Sequence, residues 1–174
     1  MIYKFRIISS ENEEFIREVA IDSQATFFDL HNFIVQELGY DKSQITSFYI
    51  TDRNWHKETE ITLIDMTGEE NSQIKVMDQT KLGELITEKK QRLLYVFDPF
   101  TERSLFMEMY EMEDKTITQP TCIRRRGTPP PQFDQDAIKN LDIDDFEDNE
   151  LKEDDIFPDE EDNGLTSFDE EEWI

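Results

Sequence analysis

Apolar and charged residues alternate along Ile2–Ile8, with Tyr3, Phe5 and Ile7 on one side and Lys4 and Arg6 on the other. A period of two marks a half-buried strand. The polar run Ser9–Glu14 predicts a turn. Phe15–Ile21 then returns as a second strand, less regular because Arg17 shares a face with Val19 and Ile21. The period now changes. Phe27, Leu30, Ile34 and Leu38 recur at helical spacing, Thr26 stands at the N-cap with Asp29 three residues on, and Gly39 sits where a left-handed C-terminal cap is needed. Ile45–Thr51, carrying Phe48 and Ile50, predicts a third strand.

Arg53–Ser72 reads as a long polar excursion that contains Trp55 and the short apolar piece Ile61–Ile64. Ile74–Met77 predicts a short strand and Lys81–Ile86 a helical turn. The strongest signal follows in Arg92–Met112, two strands joined by a short turn. Leu93–Phe97 is apolar on both faces, so that strand belongs inside a sheet with cover on each side. Asp98-Pro99 breaks the run, because proline cannot donate to a ladder. From Arg103, residues Leu105, Met107 and Met109 share one face, and Ser104, Phe106, Glu108 and Tyr110 the other.

This order predicts an α+β fold over residues 1–118: a β-grasp-like (ubiquitin-like) mixed sheet with one main helix. The Ile2–Ile8 and Leu93 strands are expected as parallel neighbours at its centre, and Arg103–Met112 as an added hairpin strand. Beyond Lys115 the periodicity stops. Residues 119–133, with Pro120 and Pro129-Pro130-Pro131, predict a basic, stiff connector. Residues 134–174 form an acidic tail, expected to be extended.

Charge sharpens that division. The 174 residues carry 18 basic and 42 acidic side chains, a net of -24. From Asp134 to Ile174 there are 19 acids against two lysines, a net of -17; the preceding 133 residues hold 23 acids and 16 bases, a net of -7. A polyanion of this density is of the kind that usually stays disordered alone, and that is the expectation for this tail. It disfavours direct binding to nucleic acid, since phosphate and carboxylate repel, and its natural partner is a basic protein surface such as that of a nucleic-acid-binding complex. The single cysteine excludes an internal disulfide framework. No apolar run reaches signal-peptide or membrane-span length, so the cytoplasm is the expected location and no membrane partner is expected.

Candidate chemistry is sparse. In the tail, Phe146, Phe157 and Phe168 are spaced eleven apart, with Ile156 and Trp173 among the surrounding acids. Such residues are candidate anchors: carboxylates speed encounter while aromatics supply contact area. Arg124, Arg125 and Arg126 could grip a phosphate or carboxylate, or pair with the chain's own acids. Trp55, beside His56, is a candidate contact residue. Cys122 has the three arginines close behind it, and cations lower a thiol's pKa, yet no matched base or resolving cysteine accompanies it. His31 is expected to pack at the flank of its helix. Asp159, Glu161, Asn163, Gly164, Ser167 and Glu170 fall at calcium-loop positions, but Pro158 and Thr166 depart from that pattern. No cofactor or metal is expected.

The helix segment TFFDLHNFIVQELGYD, the strand ending SFYI, the hairpin YVFDPF and PTCIRRRGTPP resemble the Ri-plasmid open-reading-frame-three-like family, whose members are also labelled passenger proteins of insertion elements. Asp29-Leu30-His31, Tyr95, Asp98, Pro120, Cys122, Gly127 and Pro129-Pro130 match its motifs. The resemblance spans about residues 1–131 and leaves the tail out. Where the family carries Phe-Gly-Asp and then Trp and His, this chain has Pro99, Phe100, Thr101, Arg103 and Leu105. The resemblance implies a fold and no activity. The expected function is therefore that of a non-enzymatic interaction protein whose tail binds a basic surface of a nucleic-acid-handling machine. An acidic-tailed accessory subunit of RNA polymerase is similar in plan. The alternatives are a regulatory or enzymatic module of a mobile-element pathway, or a calcium-responsive tail.

Overall fold

The computed structural model describes residues 1–68 and 74–136. Eight strands form one sheet: β1 (Ile2–Ser9), β2 (Ile16–Asp22), β3 (Ser47–Thr51), β4 (Lys57–Thr62), β5 (Lys75–Val76), β6 (Gln91–Asp98), β7 (Arg103–Glu113) and β8 (Thr121–Arg126). The helices are α1 (Phe27–Leu38) and the short α2 (Leu82–Leu85), the latter preceded by a 3-10 turn at Met77–Gln79. Strand order is β5-β4-β3-β6-β7-β1-β2-β8. All pairings are antiparallel except β4 with β5, so the sheet is mixed.

The predicted cap of α1 forms in full. Thr26 Oγ1 accepts from the Asp29 backbone N at 3.1 Å, and Asp29 Oδ2 accepts from the Thr26 N at 2.8 Å. Gly39 closes the helix at φ 68°. That reciprocal box satisfies donors the helix cannot pair internally. Phe27, Leu30, Ile34 and Leu38 then pack on one sheet face against Tyr3, Phe5, Ile7, Val19, Phe48, Leu93, Tyr95 and Met107, all buried. One continuous core results.

Three expectations change. First, β1 and β6 are not neighbours: β7 lies between them and pairs antiparallel with both. The tight turn after Asp98 lays β7 beside β6, and Leu105, Met107 and Met109 give it a fully buried face that belongs in mid-sheet. Second, the polar excursion contains a strand, β4, which buries little besides Ile61. Third, the stretch expected as a connector contains β8, hydrogen-bonded along β2.

Among the described residues no helix lies over the second face of β6. Leu94 and Val96 are nonetheless buried. Tyr49 of β3 and Phe106 of β7 stand directly across from Leu94 and shield it laterally. Among the described residues no helix is long and apolar enough to cross a membrane. The tail residues Phe146, Ile156, Phe157, Phe168 and Trp173, and the calcium-loop positions in Asp159–Glu170, lie outside the described residues.

Candidate functional site

Among the described residues β8 ends the sheet, and its arginines gather there. The register places Arg124 opposite Glu18, Arg125 opposite Arg17 and Arg126 opposite Ile16, with a bulge between Glu18 and Val19. Alternation along a strand then divides them. Arg125 lies on the α1 side, where it makes a two-pronged ion pair with Glu37 through Nε and Nη2. Arg124 and Arg126 lie on the helix-free side. Arg124 Nη1 is 3.8 Å from Glu18 Oε1, which already accepts from Arg6 Nε at 3.0 Å and Nη2 at 2.9 Å. Arg6 also lies over the Tyr110 ring at 5.0 Å. Arg126 is exposed.

Arg17, the irregularity in the second predicted strand, braces this edge from within. Its side chain is only 8% exposed. Nη1 donates to the carbonyls of Ile16 at 2.9 Å, Arg126 at 2.9 Å and Gly127 at 3.1 Å. The guanidinium lies over Phe15 at 4.8 Å, and Nε faces Glu37 at 3.4 Å without a hydrogen bond. Hydrogen bonding from Arg125 holds the Glu37 carboxyl below its ordinary range, against the opposing effect of burial. Gly127 turns the chain out of β8 at φ 68°, where a Cβ would come within 2.5 Å of the Glu14 carbonyl oxygen. Only glycine fits. In all, four arginines (Arg6, Arg17, Arg124 and Arg125) meet two carboxylates, Glu18 and Glu37, and Arg126 stands exposed beside them.

Beside the edge lies a cleft of about 760 Å³, walled by Asp29, Asn32, Gln36 and Glu37 of α1, by Thr118–Pro120 before β8, and by Arg125. Cys122 does not behave as the arginines suggested. Burial raises its pKa first, Glu37 raises it further, and Arg125 opposes only in part. Its thiol is therefore the protonated form at neutral pH, donating to the Arg124 carbonyl at 3.4 Å. A thiol held in its protonated form is a weak nucleophile.

Trp55 is not part of this edge; β6, β7, β1 and β2 separate its β3–β4 turn from β8. It meets Phe106 edge-on at 5.0 Å, with the Arg92 guanidinium 4.8 Å above its ring and Arg92 Nε 3.2 Å from Glu108. His56 Nδ1 pairs with Asp52 at 2.8 Å. His31 sits deeper than the flank position expected for it, 1% exposed. Its Nδ1 is 2.9 Å from the Tyr95 hydroxyl and 3.2 Å from Thr46 Oγ1. Burial drives its pKa down to about 4, so the ring is neutral.

Sequence reasoning missed a strap. Tyr40 donates to the Pro130 carbonyl at 2.6 Å, and Asn12 to that of Thr128 at 2.8 Å. Arg103 reaches the carbonyls of Pro131 at 2.5 Å and Gln132 at 3.1 Å while gripping Glu11 at 2.8 and 3.0 Å. Gln132 and the Asp41 backbone bond each other reciprocally. The prolines are thus tied down on the domain, as the stretch's polar signal alone could not show. Arg103 stands among the residues where the chain departs from the family motif. Among the described residues no group of three or more His, Cys, Asp or Glu is placed to hold a metal.

Comparison with known proteins bears on the fold. No curated protein matches the chain. A crystal structure of a protein of unknown function from Methanosarcina mazei Go1 is similar at a TM-score of 0.55 and 16% identity, over 71% of this chain and 68% of that one. At that identity the likeness concerns the fold alone. The family model of the plasmid pRiA4b ORF-3-like protein matches residues 1–140, the whole sheet, both helices and the strap. By that match, the chain belongs to the plasmid pRiA4b ORF-3-like family.

Proposed function

We propose that the chain is a non-enzymatic interaction protein whose acidic C-terminal stretch engages a basic surface of a nucleic-acid-handling machine. The observation that carries this reading is the segregation of charge: a net of -17 over the last 41 residues against -7 over the first 133. Phe146, Phe157, Phe168, Ile156 and Trp173 serve as apolar anchors between the carboxylates, and the partner's groove is one that otherwise holds a phosphate backbone. The strap supports the reading, because Arg103 and Tyr40 tie residues 130–132 to the folded domain, immediately before the acids begin. Location in the cytoplasm accompanies it. We read the sheet itself as β-grasp-like, opened by insertion of β7 between β1 and β6.

The test is affinity capture from native cells at low and high salt, using the full chain and a chain lacking residues 134–174, with duplex DNA added as competitor. The expected partner is lost with the tail, released by salt and displaced by DNA. Recovery of the same proteins without the tail, or indifference to both competitors, overturns the reading.

A further inference from the structure

The sheet has two ends of different kinds. Among the described residues it closes at β5 with two residues and ends at β8 in six, Thr121–Arg126, five of them exposed and one half-buried. A long exposed edge presents unpaired backbone donors and acceptors, a template for one more strand. Here the edge also has a wall: the cleft of about 760 Å³ lies between α1 and Arg125, lined by the amides of Asn32, Gln36 and Gln119. A strand edge beside a helix-walled cleft is the arrangement in which extended peptides bind by adding to a sheet.

Charge decides the occupant. Arg124 and Arg126 project from alternate positions on the helix-free side, two residues apart. An added strand places its own alternate side chains beside them, about one pair spacing away, where carboxylates are favoured and cations are not. A second copy of this chain offering the same edge would bring arginine against arginine. That rejects self-pairing and admits an acidic strand. We propose that β8 is a docking edge for an extended acidic segment of a partner protein, in which alternate carboxylates meet Arg124 and Arg126 while the intervening side chains enter the cleft beside α1. The proposal requires that the chain's own acidic stretch, which begins at Asp134 beyond the strap, does not fill this edge, and the exchange measurement below decides that.

The test uses the full chain and a labelled nine-residue peptide alternating aspartate and valine. Fluorescence anisotropy is expected to show saturable binding, weakened at least tenfold by the double change Arg124→Gln and Arg126→Gln with no shift in melting. Methylating the peptide's backbone nitrogens should abolish binding. A lysine–valine peptide should not bind. Amide hydrogen exchange at residues 122–126 should slow when the acidic peptide is added. The proposal is overturned if the methylated peptide binds as tightly as its parent, which would mean charge attraction without strand addition. It is equally overturned if the acidic peptide fails to bind at millimolar concentration. Slow exchange, in the chain alone, of those amides of 122–126 that face away from β2 also overturns it, since the edge would then be occupied already by the chain or by a second copy.

Discussion

Strand β6 buries side chains on both faces, but by two different means. Under α1, Leu93, Tyr95 and Phe97 sit in a layered core with Phe27, Leu30 and Ile34 above them. On the opposite face Leu94 and Val96 are also buried, with no helix above among the described residues. There the cover is lateral: Tyr49 and Phe106 flank Leu94, Trp55 closes on Phe106, and the charged ends of Arg92 and Lys57 lie over the Trp55 and Tyr49 rings at 4.8 and 4.5 Å. Long cationic side chains can shield apolar surface while keeping their charge in water. A strand that is apolar on both faces therefore needs neighbours on both faces, though not a second layer.

The largest effect tests whether the helix-free face is core at all. Leu94→Asp places a carboxylate at a buried position flanked by Tyr49 and Phe106, and burying a charge without a built partner costs several kcal/mol. The variant is expected to be unfolded at room temperature by circular dichroism. A folded Leu94→Asp with wild-type melting would reduce this face to ordinary surface.

Next come truncations that separate layered from lateral cover. Phe48, fully buried and in contact with Phe27 and Tyr95, cannot be replaced by relaxation of its neighbours. Phe48→Ala should cost about 3–5 kcal/mol in urea unfolding. Phe106→Ala removes a half-buried ring whose partners can collapse inward, and should cost about 1–2 kcal/mol. Equal losses at the two positions would erase the distinction between the faces.

The layered face was legible in the sequence and the lateral one much less so. Thr26, Asp29, Gly39 and the spacing Phe27–Leu30–Ile34–Leu38 each report a local rule, and α1 obeys all of them. Leu93–Phe97 announced an interior strand, but not which strands would flank it, because register across a sheet is set by distant segments. β7 therefore surfaced as an addition, when it is the strand between β1 and β6. β4 and β8 carry almost no period-two signal: Lys57–Thr62 buries only Ile61, and Thr121–Arg126 buries nothing fully. Pairing alone makes them strands. Of the candidate site, the arginine triplet was visible, whereas its brace was not: Arg17 read as an irregularity, and nothing in the pattern singled out Glu37.

The layered face also holds one polar cluster, and pH probes it. His31, Tyr95 and Thr46 meet beneath α1, and burial lowers the histidine's pKa from 6.5 to about 4. A histidine with a depressed folded pKa binds fewer protons when folded than when unfolded. Stability from the neutral ring is thus complete above about pH 6.5 and declines as pH falls towards about 4. Urea unfolding of wild type and His31→Gln at neutral pH and at pH 5 should show the gap between them narrowing in acid. A constant gap would mean that the ring does not titrate against folding.

The smallest expected effect lies at the rim of the lateral cluster. Glu108 accepts from Arg92 at 3.2 Å, and both side chains are about one-third exposed. Two opposed terms set the outcome of Glu108→Lys. The exposed ion pair is lost, which is a matter of about 0–1 kcal/mol, and a lysine now stands beside Arg92, a like-charge contact that solvent and salt both screen. Against that, Arg92 keeps its place over Trp55 and its bond to the Arg53 carbonyl, so the aromatic cover is not released. A lysine stem in place of the glutamate can itself lie along Phe106's side of the strand. The net cost should stay below about 1 kcal/mol and shrink further in high salt, as read by urea midpoints at two ionic strengths. A loss comparable to Phe106→Ala would mean that the Arg92–Glu108 pair, rather than the rings, holds the helix-free face closed.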